Sequence, residues 1–124
     1  MKRVLLVDDS PAVRTILKIY LSVGPYKLLE AEDADRALKL VRLQTIDLIL
    51  ADFTMPGISG LELFEKVRAS GNTRTALVLI TASRDPEIAT KAKTSGADDV
   101  VIKPVTPEAL RMTVASALAR RATL

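Results

Sequence analysis

Four segments of this sequence carry side chains able to act together on a phosphoryl group. Asp8-Asp9 follows the apolar run Val4–Val7, and Asp52 follows Leu48–Ala51. Thr81 follows Leu77–Ile80, and Lys103-Pro104 follows Val100–Ile102. Asp8, Asp9 and Asp52, brought within a few ångströms of one another, would repel by about 4 kcal/mol per close pair at an effective dielectric of about 20. A raised pKa or a bound cation relieves such repulsion. Carboxylate oxygens with open positions suit Mg2+, which takes one or two carboxylates together with water and a phosphate oxygen. Lys103 would neutralise phosphoryl charge, and the Thr81 hydroxyl would add a directional donor. The Asp52 carboxylate could attack phosphorus to give an aspartyl phosphate. Singly, each segment has a plainer explanation: an Asp pair makes a turn or cap, Asp52 before Thr-Met-Pro-Gly makes a turn, and Lys-Pro ends a strand. The chemistry depends on one fold bringing all four to the same place.

The elements that must do so are legible. Val4–Val7, Leu28–Ala31, Leu48–Ala51, Leu77–Ile80 and Val100–Ile102 are nearly continuous apolar runs, the pattern of strands buried on both faces of a parallel sheet. Between them run helical stripes: Val13, Ile16, Leu17, Tyr20 and Leu21; Ala34, Ala37, Leu38 and Val41; Leu61, Phe64 and Val67; Ile88, Ala89 and Ala92; Leu110, Val114, Ala117 and Leu118. Ser10-Pro11, Asp85-Pro86 and Thr106-Pro107 read as an N-cap followed by Pro at the first helical position, and Asp33 as the cap of the second helix. Gly24, Gly71 and Gly96 mark the ends of the first, third and fourth helices.

A strand-helix unit repeated five times predicts an α/β fold, a doubly wound five-stranded parallel sheet with right-handed crossovers. Analogy with flavodoxin-like (βα)5 proteins gives the strand order 2-1-3-4-5. In such sheets ligands sit at the carboxyl ends of the strands, near the point where the strand order reverses. All four reactive segments fall at that end, and Asp8, Asp9 and Asp52 flank the switch point.

Composition bounds the rest. The 124 residues make one domain, 1–124, and the mean hydropathy of +0.22 indicates a core that needs no disulfide or structural metal. The chain has no Cys and no His. Thiolate chemistry, zinc ribbons, a Ser-His-Asp triad and a phosphohistidine on this chain are thereby excluded. With no Trp and 3% aromatic residues, a base-stacking surface is not expected. No apolar run approaches the roughly 20 residues of a membrane span, and the start is not a signal peptide, so a cytoplasmic protein is expected. The net charge of +3 is spread along the chain. Lys91, Lys93, Arg111, Arg120 and Arg121 could form a basic face for an acidic partner, although solvated helix surface is the plainer reading.

Taken together, the motifs resemble the receiver domain of two-component response regulators, the family that includes the single-domain chemotaxis regulators. The resemblance spans the chain and rests on Val7-Asp8-Asp9-Ser10-Pro11-Ala12-Val13-Arg14, Asp52-Phe53-Thr54-Met55-Pro56-Gly57-Ile58-Ser59-Gly60, Thr81-Ala82-Ser83, Gly96-Ala97-Asp98-Asp99 and Lys103-Pro104. It implies that Asp52 is the phosphoacceptor. Mg2+ would be held by Asp9, Asp52 and the backbone carbonyl of Thr54, with Asp8 acting through metal-bound water. Lys103 would pair with the phosphoryl group, Thr81 would turn its hydroxyl toward it, and Ala82 would leave room for it. The Lys103–Pro104 bond is implied to be cis. One departure matters: Val100 stands where the family usually has an aromatic side chain that swings inward on activation. Thr54 and Ser83 occupy positions that tune acyl phosphate hydrolysis in the family.

The resemblance further implies a phosphohistidine donor on another molecule, a sensor histidine kinase or histidine phosphotransfer protein. That donor would dock on the first helix and the loop after the fifth strand. Val13, Arg14, Leu17, Pro104 and Val105 are the candidates there, with core packing the plainer reading of Val13 and Leu17. Beyond the fifth helix only Arg120–Leu124 remain, too few for a DNA-binding module, so no direct DNA binding is expected. The chain reads as a stand-alone receiver or one cut from a longer protein. It would be a signalling domain, not an enzyme, answering through an unknown downstream target. Three other readings compete. A haloacid-dehalogenase-like phosphatase would need an acid where Thr54 stands. A flavin-binding protein would place a phosphate against Asp8-Asp9. A phosphorylation-independent scaffold would not need the complete set of site residues.

Overall fold

The computed structural model describes residues 1–123. Strands and helices alternate: β1 (Lys2–Val7), α1 (Pro11–Leu21), β2 (Tyr26–Ala31), α2 (Ala34–Leu43), β3 (Leu48–Asp52), α3 (Gly60–Ala69), β4 (Ala76–Thr81), α4 (Pro86–Thr94), β5 (Asp99–Ile102) and α5 (Pro107–Ala122). The sheet is parallel throughout, in the order β2-β1-β3-β4-β5. The doubly wound α/β arrangement read from the sequence is the one observed.

Alternating side chains send successive strand residues to opposite faces, and each face becomes a core. Leu5, Val7, Ile49, Leu77 and Leu79 pack with Leu63, Phe64 and Val67 on the face covered by α2, α3 and α4. Val4, Leu6, Leu48, Leu50, Val78 and Ile80 pack with Leu17, Leu21, Leu110 and Val114 on the face covered by α1 and α5. The register pairs Val7 with Ala31 and Ala51, Asp52 with Ile80, and Thr81 with Ile102. The strand ends that carry the reactive segments therefore lie side by side.

The caps form as expected. Ser10, Asp33, Asp85 and Thr106 accept from the amide N–H groups of Val13, Arg36, Glu87 and Ala109, respectively. Ser59 and Glu62 close a reciprocal capping box at α3.

Several expectations change. Burial on both faces holds for β1, β3 and β4 but not for the edges: Lys27 and Glu30 of β2 face solvent, and Ile102 of β5 is 40% exposed. Ile16 is exposed and so falls outside the α1 stripe, as Ala89 falls outside that of α4. Gly71 and Gly96 take left-handed backbone, with φ of +89° and +97°, and end their helices as predicted. Gly24 does not, since α1 ends at Leu21 with Ser22 as its cap. Gly24 lies against the Tyr26 ring, which a Cβ there would approach to 2.6 Å.

The residues from Arg120 are not a tail: α5 runs to Ala122, while Leu124 lies outside the described residues. Nor is Arg121 solvated surface. Its Nε donates to both Asp98 oxygens at 2.9 and 3.0 Å, and its Nη1 donates to the Thr73 carbonyl. Asp98 also accepts from the Leu77 N–H and from Arg68, which itself donates to the carbonyls of Thr75 and Gly96. Burial pushes the Arg68 guanidinium below its ordinary pKa, nearby Arg121 adds to this, and Asp98 opposes it. Arg111 is likewise engaged, donating to the Tyr20 carbonyl on α1.

Candidate functional site

Asp8 ends up buried because β1 is interior and the chain turns into α1 immediately after it. Its backbone N–H donates to the Ala31 carbonyl at 3.2 Å, and its Oδ1 accepts from the Ser10 N–H at 2.9 Å. The carboxyl lies near that of Asp52. Its pKa rises from 3.8 to about 6. Desolvation is the main cause and Asp52 adds to it, while the Ser10 N–H and Lys103 pull the other way.

Asp52 closes β3 in the middle of the sheet. Its Oδ1 accepts from the Thr54 N–H at 3.1 Å, and its Oδ2 accepts from Lys103 Nζ at 2.9 Å. Lys103 reaches it from the end of β5, on a backbone whose N–H donates to the Thr81 carbonyl. The Lys103–Pro104 peptide is cis. Thr81 is buried, and its Oγ1 accepts from the Ser83 N–H at 3.0 Å, which leaves its hydroxyl proton free to donate elsewhere. Thr54 and Ala82 are exposed at the rim.

Asp8, Asp52 and Lys103 thus form one cluster. The expected convergence of three carboxylates is incomplete: among the described residues no three acidic side chains gather as a metal cluster. Asp9 is exposed, and its carboxylate takes no hydrogen bond or ion pair among the described residues. Asp8 folds back onto the Ser10 N–H, and its neighbour on the turn stays in solvent.

Two contacts that sequence reasoning missed shape this site. A Cβ on Gly60 would sit 2.6 Å from the Asp52 carbonyl oxygen and 2.9 Å from Leu79 Cδ1, so the first turn of α3 reaches the Asp52 backbone only because it starts with glycine. Arg14, one of the docking candidates, is engaged within the chain: its Nη1 donates to the Asp8 carbonyl at 2.6 Å and its Nε to Glu30 at 2.9 Å. Neither contact has a signal in local sequence, because each joins residues from different elements. Of the other docking candidates, Leu17 is buried and Val13 half-buried against the core, whereas Ile16 and Ile19 on α1 are 46% and 62% exposed. Val100 is partly buried and packs against the core, as do Ile88 and Ala97.

Residues 4–115 match the family model of the response regulator receiver domain. The chain belongs to this family. As a receiver domain it is part of two-component signalling. It is 36% identical over 118 residues to a cyclic di-GMP phosphodiesterase of Thermotoga maritima, an alignment covering 95% of this chain and 31% of that protein. It is also 36% identical over 126 residues to the virulence sensor protein BvgS of Bordetella pertussis, covering 97% of this chain and 10% of that one. The chain spans about half or less of the curated relatives it matches. Among solved structures, a CheY-like receiver domain protein from Methanospirillum hungatei superposes with a TM-score of 0.90 at 27% identity, covering 99% of this chain and 98% of that one. TrrA of Thermotoga maritima, solved with Mg2+ and BeF, superposes with a TM-score of 0.84 at 33% identity, covering 94% of this chain and 99% of that one. Among the described residues of this receiver, no helix is long and apolar enough to cross a membrane.

Proposed function

We propose that residues 1–124 form a receiver that accepts a phosphoryl group on Asp52 from a phosphohistidine donor in a Mg2+-dependent step, and that signals by altered partner binding. The observation that carries this reading is the Asp8–Asp52–Lys103 cluster at the carboxyl ends of β1, β3 and β5, with Lys103 Nζ on Asp52 Oδ2 at 2.9 Å. Two neighbouring carboxyls, when ionised, hold more negative charge than one ammonium offsets, which suits a divalent cation with hard oxygen ligands. Asp9, exposed and unpaired among the described residues, would hold such a cation together with Asp52 and the Thr54 carbonyl, and Asp8 would act through water. The cation, when bound, screens the phosphoryl oxygens from the carboxylates and draws charge from the phosphorus.

An Asp52 carboxylate oxygen supplies the electron pair for the new P–O bond. The donor's P–N bond breaks, and its imidazole nitrogen keeps that pair and takes up a proton. Lys103 moves from Asp52 to the phosphoryl oxygens, and Thr81 donates its free hydroxyl proton to one of them. The donor is a sensor histidine kinase or histidine phosphotransfer protein that docks on exposed Ile16 and Ile19 of α1 and on the Pro104–Val105 loop. Val100 cannot turn as a ring, so output passes through repacking of aliphatic side chains around Ile88 and Ala97.

The test is intact mass after incubation with a small-molecule phosphodonor and Mg2+, beside Asp52→Ala. One phosphoryl adduct, absent without metal and absent in the variant, is the expected result. If no adduct forms and beryllofluoride shows no Mg2+-dependent binding, the chain acts as a phosphorylation-independent scaffold.

A further inference from the structure

The Asp8 residue is held at three points. The Ala31 carbonyl takes its N–H, the Ser10 N–H holds its carboxyl, and Arg14 Nη1 takes its carbonyl at 2.6 Å. The third contact is braced from outside. Arg14 Nε donates to Glu30 Oε1 at 2.9 Å, and Lys18 Nζ donates to Glu30 Oε2 at 2.9 Å. The Arg14 side chain is only 14% exposed, so this guanidinium is committed to the contact and is not a surface charge. The Lys18 and Arg14 cations hold the Glu30 carboxylate below its usual pKa. The strap therefore runs from edge strand β2 through α1 to the peptide that joins Asp8 to Asp9.

A trans peptide is planar, with its C=O and N–H pointing in opposite directions. Fixing the Asp8 carbonyl on Arg14 therefore fixes the plane from which the Asp9 Cα and its free carboxylate leave. We propose that Arg14, braced by Glu30, is a positioning residue that sets the Asp8–Asp9 pair for a divalent cation. This rests on the Mg2+ reading above. Arg suits the task because its planar fork reaches two acceptors in fixed directions, whereas a Lys ammonium at this position serves one.

Charge alone predicts the opposite outcome. Arg14 is a cation near a cation site, so removing it should tighten Mg2+ binding if its role were electrostatic. Positioning predicts weaker binding, by about tenfold, the scale seen when supports behind metal ligands are removed. The experiment is a calorimetric Mg2+ titration of the full chain, wild type against Arg14→Met, Arg14→Lys and Glu30→Gln. Amide 15N–1H spectra of the metal-free proteins are recorded in parallel. The expected result is about tenfold weaker Mg2+ binding in Arg14→Met, with intermediate losses in Arg14→Lys and Glu30→Gln. The metal-free amide signals of Asp9 and Ser10 should shift while those of β4 and α5 stay put. Unchanged or tighter binding in a folded Arg14→Met overturns the proposal. If Arg14→Met does not fold, Glu30→Gln decides, and wild-type affinity with unshifted Asp9 and Ser10 signals overturns it. Failure of the wild type itself to bind Mg2+ would instead strike the underlying function.

Discussion

At the scale of single residues, the site rests on a carboxyl kept against its preference. Asp8 has its pKa raised from 3.8 to about 6. The folded chain thus holds that proton more tightly than the unfolded one. The resulting stability is complete below the unfolded pKa and is lost as pH rises through about 6. The shift corresponds to roughly 3 kcal/mol at neutral pH. Metal-free Asp8→Asn should therefore be more stable than wild type at pH 7.5, and the gap should close toward pH 4. Denaturant melts at both pH values check this, and a gap independent of pH would show that Asp8 is not the titrating group. The clustering of Asp8, Asp52 and Lys103 was legible because each directly follows an apolar run, whereas the exposure of Asp9 was not. The contacts of Arg14 were not legible, because spacing shows which residues share a helix, not which carbonyl a long side chain finds.

At the scale of elements, two junctions hold the architecture, one at each end of the sheet. At the reactive end, α3 abuts the Asp52 carbonyl through Gly60. Gly60→Ala must push α3 or β3 aside, at a cost of about 1–3 kcal/mol. Urea unfolding should register that loss, and the Asp52 and Thr54 amide signals should move with it. At the other end, Asp98 joins the start of β4 to Arg68 of α3 and Arg121 of α5. The Arg68 and Arg121 side chains are 16% and 17% exposed. Asp98→Ala leaves two partly desolvated guanidinium groups facing one another and should cost about 3–5 kcal/mol. A midpoint unchanged from wild type would mean that water replaces the carboxylate. Helix starts were legible because Ser-Pro, Asp-Pro and Thr-Pro act within a few residues. The end of α5 and the role of Gly24 were not, since the first depends on Asp98 across the sheet and the second on where the Tyr26 ring lies.

At the scale of the molecule, the strand order and the site belong together. The carboxyl ends of β1 and β3 are neighbours, so whatever binds between Asp8 and Asp52 binds only the folded chain. Mg2+ should therefore raise the melting temperature, by about 2.7 kcal/mol of added stability at a hundredfold excess over Kd. Asp52→Ala should lose most of that gain; an equal rise in the variant would mean that the ion binds elsewhere. The helices also sort charge. Bases occupy the last turn of every helix, and acids occupy the first turn of α2, α3, α4 and α5. This places the positive charge mostly at the amino ends of the strands, away from the acidic pocket, and answers each helix dipole locally.

The position of β1 also bears on the order of assembly. It is the first of the five strands to be made, yet it lies inside the sheet with β2 on one side and β3 on the other. Its partners emerge from the ribosome in direct succession, and both are available once Asp52 has cleared the exit. Strands β4 and β5 can then add outward on the β3 side only, one after the other. Growth from a central first strand keeps each new pairing close in sequence to an edge already formed, which limits the loop entropy lost at each step. A nascent chain halted after β3 would hold the β1 and β3 sides of the reactive pocket without the Lys103 that balances them.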